Sequence, residues 1–177
     1  GENAACAVLT SDIDLGNEAW TPIGSNSKAY IGTFDGQSYT ISGLKVDISS
    51  SGNVYAGLFG YVGDWQSGGT VKCVYVNGSV SAVSTTSGAY AGGVVGLNYT
   101  GTVCNCTYTG AVSAKGRDAN VVAAGGIVGE NFDKVDGCLH VGGKLPVVNA
   151  DSVFTVNRNV TSSIVCSRVQ AFCKQTL

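Results

Sequence analysis

The chain carries one histidine, seven cysteines and twelve acidic residues, and their spacing limits the chemistry open to it. A histidine acting as general base needs a nucleophile and an orienting group within reach. His140 has no G-x-S-x-G elbow to serve, and no Ser-His-Asp set is identifiable. Paired carboxylates across a cleft hydrolyse glycosidic bonds. Asp12 and Asp14, two residues apart, would share one face of a strand, whereas Asp35 in "FDG" occupies a turn signal. Glu130, Asp133 and Asp136 cluster around Lys134 in a pattern that could hold Ca²⁺ with backbone oxygens. No earlier segment repeats that cluster, so a solvated loop is the favoured reading. The glycine group "GLFGYVG" lacks the G-x-G-x-x-G spacing of a phosphate cradle, and no helix follows it. No catalytic residue, metal site or cofactor is expected.

The cysteines are too many for an ordinary cytosolic domain, and none forms a C-x-x-C pair. Cys104-x-Cys106 is too tight for zinc-knuckle spacing. Disulfides among Cys6, Cys106, Cys138, Cys166 and Cys173 in an oxidising compartment are the favoured reading; the alternative is a set of small buried thiols. The odd count leaves one thiol free or shared between chains. N-x-[ST] sequons begin at Asn77, Asn98, Asn105 and Asn159. Asn98 and Asn159 read as loop acceptors and Asn77 as a further candidate, with Asn105 poorly placed at a tight corner. Trp65, Tyr90 and Tyr99 are candidates for contact with a ligand or partner. Trp65 lies in an insertion, Tyr61 to Gly68, where it either stacks on a sugar or folds back over the edge of the coil.

What would position these groups is a repeat. Gly60, Gly96 and Gly129 are 36 and 33 residues apart, and Val71, Val103 and Val135 are spaced 32 and 32. A fixed period of this length marks a stacked architecture. Each repeat reads as short β segments punctuated by glycine. Val71, Val103 and Val135 are followed three residues later by Val74, Cys106 and Cys138. Positions three apart on a strand face opposite sides unless the chain bends between them. Asn105 and Gly137 occupy the required bend and tolerate a left-handed conformation; Cys73 fits there less well. Beyond the corner, Val76, Tyr108 and His140 form one column and Gly78, Gly110 and Gly142 another. Rungs of stacked coils are about 4.8 Å apart, so Cys106 and Cys138 become neighbours that either bridge or stack as thiols. Ser81 to Ala89, Ser113 to Val122 and Pro146 to Asn159 read as loops leaving the edge of the coil.

Only 12% of residues are charged, the net charge is −2, and Gly supplies 26 positions. This is the composition of a β-rich chain with many tight turns. Without a basic run there is no footprint for nucleic acid. No apolar stretch reaches the roughly 18 to 20 residues that span a bilayer, so membrane insertion is not expected. The start lacks both Met and a signal pattern, which reads as a processed mature chain or an excerpt.

"GGVVGLNYTGTVCNCTYTGAV" and "GGIVGENFDKVDGCLHVGG" resemble the GLUG repeat, a module of bacterial and protist surface proteins, adhesin-like proteins and some secreted proteases. The pattern is a glycine-bracketed apolar triplet, a short loop, a valine or isoleucine, an Asn-Cys pair and a glycine. The copy "AGLFG" with "GTVKCVYVNGSV" departs from it by placing Val74 where Cys is usual. The stretches "LTSDIDLGNEAWTPIG" and "YIGTFDGQSYTISGLKV" resemble the segment that often precedes such repeats, so the likeness covers about residues 8–145. It implies an all-β, right-handed parallel β-helix (a β-solenoid) displayed outside the cell and associated with adhesion, with no catalytic motif to carry over.

The expectation is therefore one β-solenoid domain over 1–177: an N-terminal coil or cap (1–54), three repeat coils (55–145), and a C-terminal cap or exchange segment (146–177). Its role is structural or adhesive and non-enzymatic, extracellular or at the cell surface. Its partners are other copies of itself stacked end to end into a filament, or a cell-surface or glycan ligand. The competing class is a carbohydrate-binding or glycan-active parallel β-helix.

Overall fold

A computed structural model describes residues 2–116, 122–141 and 147–148. It is all-β: the one helical turn among the described residues is a 3₁₀ segment, Glu2–Ala4. The strands, numbered in chain order, stack in parallel as a β-solenoid of about three turns.

Each complete coil has four faces. The first stacks β1 (Ala7–Val8), β3 (Thr33–Asp35), β7 (Thr70–Lys72), β11 (Thr102–Cys104) and β15 (Lys134–Asp136). The second stacks β2 (Ile13–Asp14), β4 (Thr40–Ser50), β8 (Tyr75–Ser84), β12 (Thr107–Lys115) and β16 (Leu139–His140), with β17 (Val147–Val148) also pairing with β12. The third comprises β5 (Val54–Ala56), β9 (Ala89–Gly92) and β13 (Val122–Gly125). The fourth comprises β6 (Phe59–Val62), β10 (Val95–Asn98) and β14 (Val128–Asn131), extended by single bridges from Ile23 to Phe59 and from Tyr30 to Val62. Every strand pairing is parallel, as successive turns of one coil demand.

The register places like on like. Val103 pairs with Val71 and Val135, and Tyr108 with Val76 and His140. These side chains point inward: Val71 and Val103 are wholly buried, as are Val74, Cys106 and Tyr108. The bend that separates Val71 from Val74 is present in each coil. Cys73, Asn105 and Gly137 have φ of 54°, 52° and 60°, so even the cysteine accepts the left-handed corner.

Inside the second coil, the Tyr108 ring fills the space above Gly93, where an added Cβ would lie 2.2 Å from its Cγ. The phenol donates to the Gly78 carbonyl at 2.9 Å, with the Ala111 carbonyl at 3.1 Å. Burying an aromatic ring contributes a few kcal/mol only if its hydroxyl keeps a partner. That requirement is met throughout: among the described residues no buried side-chain nitrogen or oxygen lacks a hydrogen bond.

Two of the expected loops begin later than their sequence suggests. Ser81 to Ser84 and Ser113 to Lys115 continue β8 and β12, because Val80, Ala82, Val112 and Ala114 keep facing inward. The loop between β8 and β9 is only residues 85–88. Most of the third expected loop, from 146 to 159, lies outside the described residues. Among the described residues, no helix is long and apolar enough to cross a membrane.

Candidate functional site

The corner joining the fourth face to the first is where one coil differs from its neighbours. Val62 pairs with Asn98 at an offset of 36 residues, while Thr70 pairs with Thr102 at an offset of 32. The first complete coil therefore holds extra residues at this corner, and they carry Trp65. The insertion is tied down. Asp64 Oδ1 accepts from the backbone amides of Gln66 and Ser67, both at 2.8 Å, and the Asp64 amide donates to the Ser67 carbonyl at 2.8 Å. From the next coil, Thr100 Oγ1 donates to the Asp64 carbonyl at 2.7 Å. Gly63, at φ 79°, makes the entry turn directly against Thr100.

Trp65 is held out by this loop with 88% of its surface exposed, and Phe132, two coils further on, is 53% exposed. Between them lies Tyr99, 5.2 Å from Trp65 at 65° and 5.9 Å from Phe132 at 63°, both edge-to-face. The ring contacts continue to Tyr61 (6.2 Å), from there to Tyr55 (5.1 Å), and finally to Tyr90 (5.2 Å). The outcome is one aromatic strip across the third and fourth faces.

The strip has two parts. Tyr55 and Tyr90 are in register and stack with planes 8° apart, so their faces are turned on each other. Burial pushes the Tyr61 and Tyr90 phenols up to about 12, helped by neighbouring phenols and the Glu130 carboxylate. Burial also raises Tyr55, against a lowering hydrogen bond from Asn53. Trp65, Tyr99 and Phe132 form the open part, where ring surface still meets solvent.

Of the sequence candidates, Trp65 and Tyr99 come together here. Tyr90 belongs to the same strip but not to its open part, because Tyr55 covers its ring face. Tyr55, Tyr61 and Phe132 escaped the sequence reading. Aligning the coils on one another, which places Tyr55 over Tyr90, reveals the first of them.

The remaining candidates do other work. Asn98 is buried, which corrects its assignment as a glycan acceptor. Its Nδ2 donates to the Gly101 carbonyl and to Asn131 Oδ1 at 2.8 and 2.7 Å, and its Oδ1 accepts from the Gly101 amide. Asn77 is exposed, with its Nδ2 donating to Thr109 Oγ1 at 2.8 Å. Asn159, Cys166 and Cys173 lie outside the described residues.

Cys106 and Cys138 are rung neighbours, but as unbridged thiols, and Cys6 is likewise free and exposed. The two buried sulfurs turn to carbonyls of their own coils: Cys106 Sγ lies 3.2 Å from the Cys104 oxygen, and Cys138 Sγ lies 3.3 Å from that of Asp136. The hydrogen bond with Cys138, together with burial, pushes the Cys106 thiol up.

His140 lies against Tyr108, centroids 5.8 Å apart, with its Nε2 at 3.2 Å from the Gly110 carbonyl. Asp12 Oδ1 accepts from the Thr40 amide at the start of β4, tying two coils together, and Asp14 Oδ1 accepts from the Gly16 amide in a local turn. Asp35 accepts from the Gln37 amide and pairs with Lys72 at 3.0 Å; those bonds hold its carboxyl below the usual range. Among the described residues, no three His, Cys, Asp or Glu side chains are grouped to hold a metal ion. An open cleft of about 370 Å³ near the N-terminus is lined by Asn3, Ala5, Ile23, Tyr30, Phe34 and Phe59, with no carboxylate among its lining residues.

No protein-family model matches the chain, and no solved structure matches it. Over 91 residues, 51% of the chain, it is 34% identical to a protein of Evansella cellulosilytica named "Putative Gly-rich membrane protein". The matched region spans only 10% of that protein's length.

Proposed function

We propose that this chain is a non-enzymatic adhesive module, displayed outside the cell or on its surface, in which the solenoid is a rigid mount and Trp65, Tyr99 and Phe132 are the contact surface. The observation that carries this reading is Trp65: a large ring, 88% exposed, on a loop fixed by four hydrogen bonds. An ordered loop has already met the entropy cost of holding its side chain for a partner. Exposed aromatics of this kind dominate contact energies where they occur. The name of the Evansella relative and the resemblance to surface repeats support a location at the cell boundary.

The test is adhesion of beads coated with the chain to cultured epithelial cells and to bacterial cells, comparing wild type with Trp65→Ala. Adhesion should fall about tenfold or more in the variant, the scale expected for an aromatic anchor. Its thermal stability should stay within about 0.5 kcal/mol of wild type, because an exposed side chain contributes little to folding. Equal adhesion by both proteins removes the reading.

A further inference from the structure

Resting on the adhesive reading, we infer that the partner of the open aromatic surface is a neutral polysaccharide, bound along the axis of the stack with its sugar rings laid on Trp65 and Phe132.

Area comes first. A stable protein partner needs about 800 Å² on each side. The open part of the strip is three side chains, each able to bury roughly 150–250 Å², and Tyr99 is already partly covered by its neighbours. That falls short of a protein interface, but it suits a chain of small rings that meets one aromatic at a time. Each sugar ring has an apolar C–H side and a rim of hydroxyls, so it can stack on an aromatic face while its edge stays wet.

Geometry follows. Asn98 and Asn131 pair across the rungs, so the residues after them, Tyr99 and Phe132, sit one rung apart. Trp65 lies on the other side of Tyr99, contributed by the coil before. The three rings thus come from three successive coils and run along the axis of the solenoid rather than around it. A linear polymer laid in that direction meets Trp65, Tyr99 and Phe132 in order.

Charge selects among polymers. Asp64 precedes Trp65 and Asp133 follows Phe132 in the chain, so two of the three open rings have an acidic neighbour, and one cation, Lys134, follows Asp133. The other groups flanking Trp65 and Tyr99 are uncharged: Gln66, Ser67 and Thr100. An anionic polysaccharide gains nothing from this surround, whereas hydroxyls find neutral donors and acceptors.

The experiment measures retention of the whole chain on insoluble cellulose, chitin and xylan, with polygalacturonate immobilised on beads as the anionic probe. Bead adhesion is repeated in parallel on cells oxidised with periodate. Wild type should be retained by at least one neutral polymer and not by polygalacturonate. Trp65→Ala should weaken retention about tenfold and Phe132→Ala several-fold. Tyr90→Phe, whose ring face is covered in the fold, should match wild type. Periodate should abolish adhesion to a polymer with adjacent free hydroxyls, such as cellulose or xylan, and spare adhesion to chitin, which has none along its chain. If adhesion depends on Trp65 yet survives periodate, and no polymer retains the chain, the polysaccharide inference is overturned and the adhesive reading stands. If Trp65→Ala alters neither adhesion nor retention, both are overturned.

Discussion

Cys73, Asn105 and Gly137 share one left-handed backbone conformation at equivalent corners, although only two of them are suited to it. An ordinary side chain at such a position costs roughly 1–2 kcal/mol, which asparagine reduces by bonding locally and glycine avoids. Cys73→Asn should therefore raise stability by about 1 kcal/mol in urea unfolding. A loss would mean that the half-buried thiol makes a contact worth more than the strain. Asn98 illustrates the opposite economy. Its amide serves the Gly101 turn and Asn131 together, and Val62 holds the matching place where the longer loop leaves no such turn to cap. The sequon beginning at Asn98 reads as a modification signal only because a three-residue pattern does not record burial.

Between strands, shape is set by the absence of side chains. Gly93 leaves room for Tyr108, and Gly126 leaves room for His140, whose Cγ would lie 2.5 Å from an added Cβ. Gly93→Ala must displace the Tyr108 ring or the neighbouring backbone and should destabilise the chain by about 1–3 kcal/mol. Gly52→Ala is the matched control, since its added Cβ would meet only Ser50 Oγ at 3.9 Å. If both variants unfold at the same urea concentration, the packing account is wrong. The elements were legible where contrast was high: the repeated valines, the corner residues and the inward Tyr108 column all follow from spacing. The outer halves of β8 and β12 were not legible, because they alternate serine with valine and alanine. Ala82 and Ala114 bury too little apolar area to announce a period of two, so these halves passed for polar loops.

Across the whole molecule, the aromatic strip ties three coils together and gives the fold a pH signature. Tyr61 and Tyr90 lie near 12 when folded, against 10.0 for a free phenol. Below pH 10 both states keep their protons and the full stability is present. Between about 10 and 12 the unfolded chain ionises while the folded one resists, so stability falls as pH rises through that window. Thermal melts across it should show a falling Tm, and Tyr61→Phe with Tyr90→Phe should flatten the decline. An unchanged slope would assign the loss to other groups. The strip itself was half visible in the sequence. Trp65 and Tyr99 stand out as single residues, but a contact between rings from different coils appears only once the rungs are aligned.

The register closes cleanly on both sides of the Trp65 loop, at Val62 with Asn98 and at Thr70 with Thr102. Between them, the Gly63 amide still donates to the Tyr30 carbonyl and the Gly69 carbonyl accepts from the Thr102 amide, so both ends of the loop belong to the rungs. Only the exposed tip, Trp65 to Ser67, is free of the coil: that short stretch can be rewritten, lengthened or exchanged for a foreign peptide while the glycines on either side keep the corner in place. If the proposed adhesive role holds, selection, or an engineer, can change what the tip contacts without first solving the folding of the coil again.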